Sequence, residues 1–289
     1  MGRMVIVSTC HRLELYTEME GSGREVEARL VRWLAVRRQV AADDIRAAAT
    51  FLEGPAAARH LFRVAAGLDS ALLGEAEILA QVRTAISTSI AAHAVTPALK
   101  AVFHGAVQTA ERARARVWRR FGRADIGSIA AEAAAAALGR AGGRYLVLGA
   151  GRVGALAARA LRERAAEVTV VNRTAARAQN LAERLQVEWA RIEERDRLID
   201  GADAIIVATG SPGIVLCAHA IARRAADSTR PLAVIDLSMP RNSDPAIDAL
   251  IGERSIDLAR LDERVARAHA ERATGIPEVE ALIEAELDS

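Results

Sequence analysis

The sequence predicts an α/β protein in two parts: an N-terminal α+β domain, then a doubly wound domain on a parallel sheet, with a long helix to finish. Three observations carry this expectation. From Tyr145 onward, short apolar runs alternate with helical stretches, the pattern of βαβ units. Glycines cluster as GAGRVG between the first such run and its helix. Before residue 126 the order differs: two extended pieces come first, and most of the remaining chain up to that point has helical periodicity.

Met4 to Ser8 reads as a buried strand and Leu13 to Glu18 as a second extended piece. Val26, Leu30, Trp33 and Leu34 recur at helical spacing, so a helix is expected from Glu25 to Val40. From Ala56 to Arg120 the chain reads helical, with breaks at Gly67 to Ser70, at Gly74 and at Thr96-Pro97. The run ARARVWRRFGRAD, Ala113 to Asp125, is basic and reads either as a linker or solvated helix or as a binding face. After Ile129 an alanine-rich helix leads to the strand Tyr145 to Leu148, a glycine turn and a helix through Leu161. Val168 to Val171 is the next strand, Ala175 to Leu185 a helix, and Ala204 to Ala208 and Ala233 to Asp236 two more strands. The tail from Ile256 places Leu258, Leu261, Val265 and Ala268 at helical spacing with charge between them, which predicts one long amphipathic helix. The expected divisions are 1–125, 126–255 and 256–289.

A chain of 289 residues has room for two domains. It is 51% hydrophobic but only 3% aromatic, so Ala, Leu and Val must fill the core. Lys100 is the sole lysine, and the many arginines alternate with glutamates along helices as on solvated faces. A net charge of +2 argues against a broad nucleic-acid-binding surface and leaves room for a local patch. Cys10 and Cys217, with no secretory signal, predict reduced thiols and a cytoplasmic protein. No apolar run reaches the length of a bilayer span, so no membrane partner is expected.

Gly149, Gly151 and Gly154 form G-x-G-x-x-G directly after a strand and at the opening of a helix. That pattern supplies a tight turn, close backbone approach to a pyrophosphate, and close packing of helix on strand. A dinucleotide is therefore expected on Gly149, Ala150, Gly151, Arg152, Val153 and Gly154 in a Rossmann-type domain. NAD sites place an acidic residue at the end of the next strand, about 20 residues on. Here that place holds Asn172, Arg173 and Thr174. A carboxylate would repel a 2′-phosphate, whereas Arg173 can grip one through paired charge-assisted hydrogen bonds. NADPH is the expected cofactor; the bland alternative is that Arg173 is only a surface residue at a helix start.

Cys10 lies in VSTCHRLELY, flanked by His11 and Arg12. A lone cysteine is more often a core residue than a nucleophile, but a nearby cation or base favours thiolate. Strand alternation would turn His11 away from Cys10 and bring Arg12 to its side. Cys217, among apolar neighbours, reads as inert packing. A thiol beside an NADP site suggests a scheme: the thiolate attacks an activated acyl group, and hydride reduces the resulting thioester to an aldehyde.

These residues resemble the glutamyl-tRNA reductase family. Its signature Ser-Thr-Cys-Asn-Arg-x-Glu-x-Tyr is similar to STCHRLELY, and its second block is similar to HLFRVAAGLDSALLGEAEILAQVRTA, His60 to Ala85. GAGRVG, VVNRTAARA, VATGSP and IDLSMPRNSDP come in the family's order. The resemblance implies an oxidoreductase of tetrapyrrole (porphyrin) biosynthesis that takes glutamyl-tRNA, forms an enzyme thioester and releases glutamate-1-semialdehyde with NADPH. Carried over by position, Cys10 is the nucleophile and His60 a base or proton donor; without the resemblance His60 reads as a helix-packing histidine. Thr9, His11, Arg12, Ser70, Glu75, Ala76, Glu77 and Gln81 fall at substrate-contacting places, with Arg12 pairing the substrate carboxylate. The resemblance also implies an N-terminal catalytic domain with an incomplete ferredoxin-like sheet.

Departures from the family pattern are equally specific. His11 replaces an asparagine, Leu13 a threonine, and GEAE replaces Gly-Glu-Pro-Gln, so that Ala76 and Glu77 stand for proline and glutamine. A carboxylate at Glu77 would repel an acidic substrate if it faced the pocket. WRRFGR, Trp118 to Arg123, replaces an Arg-Thr-Glu-Thr segment. The family's opening strand, with its Asn-His-Lys-Thr-Ala-Pro motif, would precede Met1, and its dimerisation domain would come after the last helix, so whether the usual dimer forms is left open. The partners implied are glutamyl-tRNA as substrate, and a full-length reductase or the downstream aminomutase as protein partners. The alternatives are a paralogue reducing another aminoacyl ester, and a non-catalytic regulatory relative.

Overall fold

The computed structural model describes residues 3–9, 12–227 and 229–288. It divides into two compact units: residues 1–123 with 269–289, and residues 124–268.

In the first unit β1 (Met4–Ser8) and β2 (Leu13–Thr17) form an antiparallel pair, in register from Met4 opposite Thr17 to Ser8 opposite Leu13. Alternation sends Val5 and Val7 fully inward and leaves Ile6 40% exposed. Helix α1 (Gly23–Arg38) starts at a reciprocal capping box between Ser22 and Glu25, and Gln39 ends it by taking a left-handed φ of 54°. Then come α2 (Ala42–Ala48), α3 (Gly54–Ala65), α4 (Ala76–Ala91) and α5 (Pro97–Arg116). The expected breaks at Gly67 to Ser70, Gly74 and Thr96-Pro97 separate α3, α4 and α5. Thr96 caps α5 by accepting the Leu99 N–H at 3.1 Å. The core gathers Val5, Val7, Leu61, Phe62, Val82, Phe103 and Trp118. The stretch read as linker or binding face is neither wholly solvated nor free: Ala113, Val117 and Trp118 are buried, and Trp118–Phe121 forms a short 3-10 turn.

The second unit opens with α6 (Ile126–Leu138), whose first turn Asp125 caps through Ser128 N at 2.9 Å. Its small residues let it lie against the next helix so closely that a Cβ on Gly127 would sit 2.4 Å from the Ala157 nitrogen. The chain then runs through β3 (Arg144–Leu148), α7 (Arg152–Glu163), β4 (Glu167–Asn172), α8 (Ala175–Leu185), β5 (Glu188–Arg191), α9 (Arg195–Gly201) and β6 (Ala204–Val207). It continues through α10 (Ala218–Ala225), β7 (Ala233–Asp236), α11 (Ile247–Ile251) and β8 (Ser255–Ile256). All six strands are parallel, in the order β5-β4-β3-β6-β7-β8, the doubly wound dinucleotide-binding arrangement. The strands β6 and β7 are buried along their whole length, as a two-sided sheet requires.

The single helix expected over 256–289 is instead two, α12 (Leu258–Ala273) and α13 (Ile276–Leu287). Pro277 has no N–H to give and its ring crowds the carbonyl four residues back, so a continuous helix through Ala273 is disfavoured. The last turn of α12 and all of α13 belong to the first unit. There α13 packs on α3 and α5, burying Val279 and Ile283 completely. Glu284, Glu280, Glu286 and Glu278 pair with Arg59, Arg63, Arg112 and Arg120 around that seam. No helix among the described residues is long and apolar enough to cross a membrane.

Candidate active site

Directly opposed residues of an antiparallel pair share a face. Glu14 lies opposite Val7 and Tyr16 opposite Val5, so a carboxylate and a phenol stand on the side of β2 that the core valines define. A carboxylate there must be bonded or neutralised, and Glu14 is fully engaged. Its Oε1 accepts from His60 Nε2 at 3.1 Å and from Arg12 Nη1 at 3.2 Å, and its Oε2 accepts from the Tyr16 hydroxyl at 2.6 Å. Tyr16 is itself fixed by an edge-to-face contact with Phe103, ring centres 5.2 Å apart.

His60 comes from α3 and faces a second carboxylate, with Nδ1 3.9 Å from Asp69 Oδ2. Arg63, one turn further along α3, donates to Asp69 Oδ1 at 2.9 Å and also pairs with Glu280. Arg12 Nη2 donates to the Asp69 carbonyl, next to Ser70. Thr9 and Arg12 close on each other: Thr9 N–H donates to the Arg12 carbonyl at 2.9 Å, and Arg12 N–H to Thr9 Oγ1 at 3.1 Å. Cys10 and His11, between them in sequence, lie outside the described residues.

This wiring sets the charges. The hydrogen bond to Glu14 raises the His60 pKa above the usual imidazole value; burial opposes it, and the Glu14 and Asp69 charges add to it. Burial alone would raise Glu14, but the bonds from His60 and Tyr16 and the nearby cationic groups hold it below the usual carboxylate range. Burial and the Glu14 bond push Tyr16 far above the ordinary phenol value, so it remains a donor. His60 is thus biased towards imidazolium, with a proton to give.

The remaining expected positions follow along the chain. Ser70 sits in the loop after α3, Glu75 is the N-cap residue of α4, Ala76 and Glu77 open its first turn, and Gln81 lies about one turn on. Among the described residues Ser70 and Gln81 bond to none of Glu14, His60, Arg12 or Tyr16. The residues that sequence reasoning passed over are Glu14, Tyr16, Asp69 and Arg63. The signal was available for two of them: Arg12, Glu14 and Tyr16 alternate and therefore share a side of the strand.

In the second unit the glycine turn leads from β3 into α7 at the edge shared by β3 and β6, where the strand order reverses. Gly149 has φ of +116°, and a Cβ on it would lie 2.1 Å from the Ala208 carbonyl oxygen. A Cβ on Gly154 would lie 2.0 Å from the Gly149 carbonyl oxygen, so helix and turn touch through backbone. Gly151, by contrast, has nothing within 4 Å of such a Cβ: it fronts open ground at the start of α7, with no side chain capping the helix. A helix start with no side-chain cap, beside a glycine with open space, fits a dinucleotide diphosphate. Ala150, Arg152 and Val153 complete that turn. Asn172 braces it, accepting Ala150 N–H at 3.2 Å and donating to the Thr174 carbonyl at 3.1 Å. Arg173 is exposed one residue beyond β4, where α8 begins.

The loops after β6 and β7 are tied together by buried polar groups that sequence reasoning did not single out. Asp236 accepts the N–H groups of Ser238, Asn242 and Ser243 at 2.9, 2.8 and 2.6 Å. Asn242 in turn donates to the carbonyls of Ser211 and Gly213, both at 2.9 Å. Cys217 is half-buried at the N-cap of α10. Among the described residues no group of histidines, cysteines and carboxylates is arranged to hold a metal.

Comparison with known proteins agrees with both units. Residues 1–117 match the family model of the glutamyl-tRNA(Glu) reductase N-terminal domain, and residues 132–263 match that of shikimate / quinate 5-dehydrogenase. The glutamyl-tRNA reductase of Geobacillus kaustophilus (strain HTA426) is 36% identical over 289 residues, covering 98% of this chain and 63% of its own length. That of Roseiflexus sp. (strain RS-1) is 34% identical over 287 residues, covering 98% of this chain and 67% of its own. The chain thus spans roughly two-thirds of these curated relatives. The solved structure of glutamyl-tRNA reductase from Methanopyrus kandleri is 32% identical and superimposes with a TM-score of 0.58, covering 99% of this chain and 69% of that one. On fold, order of motifs and identity over 98% of its length, this chain belongs to the glutamyl-tRNA reductase family.

Proposed function

We propose that the protein reduces glutamyl-tRNA to glutamate-1-semialdehyde with NADPH, through a thioester on Cys10, in tetrapyrrole biosynthesis. The observation that carries this reading is the Glu14 carboxylate, which binds His60 and Arg12 together four residues after the signature cysteine.

Each step is assigned to a residue of this chain. The Cys10 thiolate attacks the acyl carbon of the glutamyl ester. As the bond from that carbon to the ribose oxygen of the tRNA breaks, the oxygen takes a proton from His60, whose two carboxylate neighbours favour the imidazolium form. Arg12 has two donors fixed by Glu14 and the Asp69 carbonyl, so the guanidinium is held in one plane and its other N–H groups are oriented for the acidic end of the substrate. Thr9, Ser70, Glu75 and Gln81 line the rest of the aminoacyl site. The Gly149–Gly154 turn would hold NADPH with Arg173 against its 2′-phosphate, and the bound cofactor would supply the hydride that reduces the thioester to the aldehyde and releases the thiolate.

Glutamyl-tRNA should stimulate NADPH oxidation by the purified chain, and Cys10→Ser should lower that rate by about 1,000-fold or more. Turnover by the serine variant at the wild-type rate would overturn the mechanism. Equal turnover of other charged tRNAs would overturn the substrate assignment.

A further inference from the structure

The WRRFGR segment plays no part in these steps, yet it lies against the loop that carries Ser70. Trp118 is 2% exposed, and its indole N–H donates to the Ala66 carbonyl at 2.8 Å, where α3 gives way to that loop. The same ring approaches Gly74 so closely that a Cβ there would come within 2.4 Å of it, and Gly74 N–H closes the loop onto the Gly67 carbonyl at 2.9 Å. Gly275, in the break between α12 and α13, is equally tight: a Cβ would meet Val117 at 2.8 Å and Phe121 at 3.1 Å.

Arg272 completes this assembly. Its guanidinium carbon lies 5.4 Å from the Trp118 ring centre and 5.6 Å from that of Phe121, and the residue is 3% exposed. Nε donates to the Leu73 carbonyl, and Nη1 to the carbonyls of Phe121 and Gly122 at 3.1 and 3.3 Å. No carboxylate pairs with it among the described residues, and burial pulls its pKa below the usual guanidinium value. A buried cation without a counter-ion is unfavourable, and an apolar side chain of similar length would fill the space without that penalty. Packing therefore does not account for the charge. A planar fork reaching carbonyls of two chain segments does.

We propose that Arg272, seated over the paired Trp118 and Phe121 rings, is a positioning residue that sets the conformation of loop 66–75 and, through it, the places of Ser70 and Glu75 against the acyl donor. Its effect on catalysis rests on the function proposed above; its effect on the loop does not. The replacement of the family's Arg-Thr-Glu-Thr segment by WRRFGR then has a purpose: it supplies the aromatic walls of this seat.

Hydrogen–deuterium exchange on the full chain separates the two. Arg272→Met should speed exchange of amides 67–75 on the order of 10-fold or more while leaving β3 and β4 unchanged. It should also raise KM for glutamyl-tRNA by about 10-fold, with kcat within about 3-fold and NADPH binding unaltered. Arg272→Lys keeps the charge but not the fork, and should fall between the two. Trp118→Phe removes only the indole donor and should loosen the Ala66 end less. Unchanged exchange at 67–75 in folded Arg272→Met would overturn the proposal, as would an equal rise throughout the first unit in all three variants. Loop-specific loosening in a protein that never turns over glutamyl-tRNA would support the positioning role and refute the substrate instead.

Discussion

At Glu14, side chains from β2, α3 and the turn before β2 converge on one carboxylate; between Gly149 and Gly154 hardly a side chain takes part, and the backbone itself fronts the open ground. The first arrangement is electrostatic. Conservative substitutions that keep its shape should alter proton affinities strongly and stability little. The second is steric. There a single methyl group meets carbonyl oxygens, and charge hardly matters. Chemistry that moves protons needs the former, and a diphosphate needs the latter.

The sharpest way to break this contrast is to add one carbon to the steric site. Gly149→Ala forces a Cβ against the Ala208 carbonyl at a φ that side chains rarely adopt. It should cost about 3 kcal/mol of stability in urea unfolding and abolish NADPH binding followed by fluorescence. Tight NADPH binding by this variant would show that the turn is not the cradle.

The electrostatic site should respond in the opposite sense. Glu14→Gln keeps the shape but removes the charge, so the His60 pKa followed by NMR should fall, and kcat/KM should drop about 10- to 100-fold. The sign of the pH dependence is fixed. His60 is raised in the folded state, so its contribution to stability is complete below the unfolded imidazole value and fades as pH rises through the folded one. Glu14 is depressed, so its contribution is present above the unfolded carboxylate value and is lost as pH falls through the folded one. Both dependences should flatten in Glu14→Gln when urea midpoints are compared across pH.

Arg173→Ser probes the charge assigned to the 2′-phosphate. NADPH affinity should fall about 10- to 100-fold with NADH affinity nearly unchanged. Equal loss for both would remove the 2′-phosphate contact. The smallest effect is expected at the rim of α13, where both Arg120 and Glu278 are more than half exposed. Glu278→Ala should shift stability by no more than about 1 kcal/mol.

The same contrast explains what could be read in advance. Backbone-defined features announce themselves through residue type: GAGRVG, the short apolar runs of β6 and β7, and the Pro97 start of α5 all fall where the sequence places them. The strand β5, EWAR, escapes sequence reading because it is a four-residue edge strand with one buried position. The break before α13 escapes it too, although TGIP carries the signal; the apolar periodicity up to Ala268 invites extrapolation. Side-chain networks are harder. The Glu14–Tyr16 pair is visible as alternation, but its convergence with His60 spans 46 positions in sequence and depends on how α3 packs. The bonds from Asn242 to Ser211 and Gly213 and the Trp118–Arg272 seat are likewise long-range, and only the folded chain brings their members together.

The most direct test is on the sulfur of Cys10. The chain should be incubated with glutamyl-tRNA without NADPH, quenched in acid and digested, and the peptide carrying Cys10 examined by mass spectrometry. A glutamyl mass gain on that peptide, discharged when NADPH is added and absent in Cys10→Ser, is the expected result. An unmodified peptide alongside NADPH-dependent turnover of glutamyl-tRNA would contradict the thioester route.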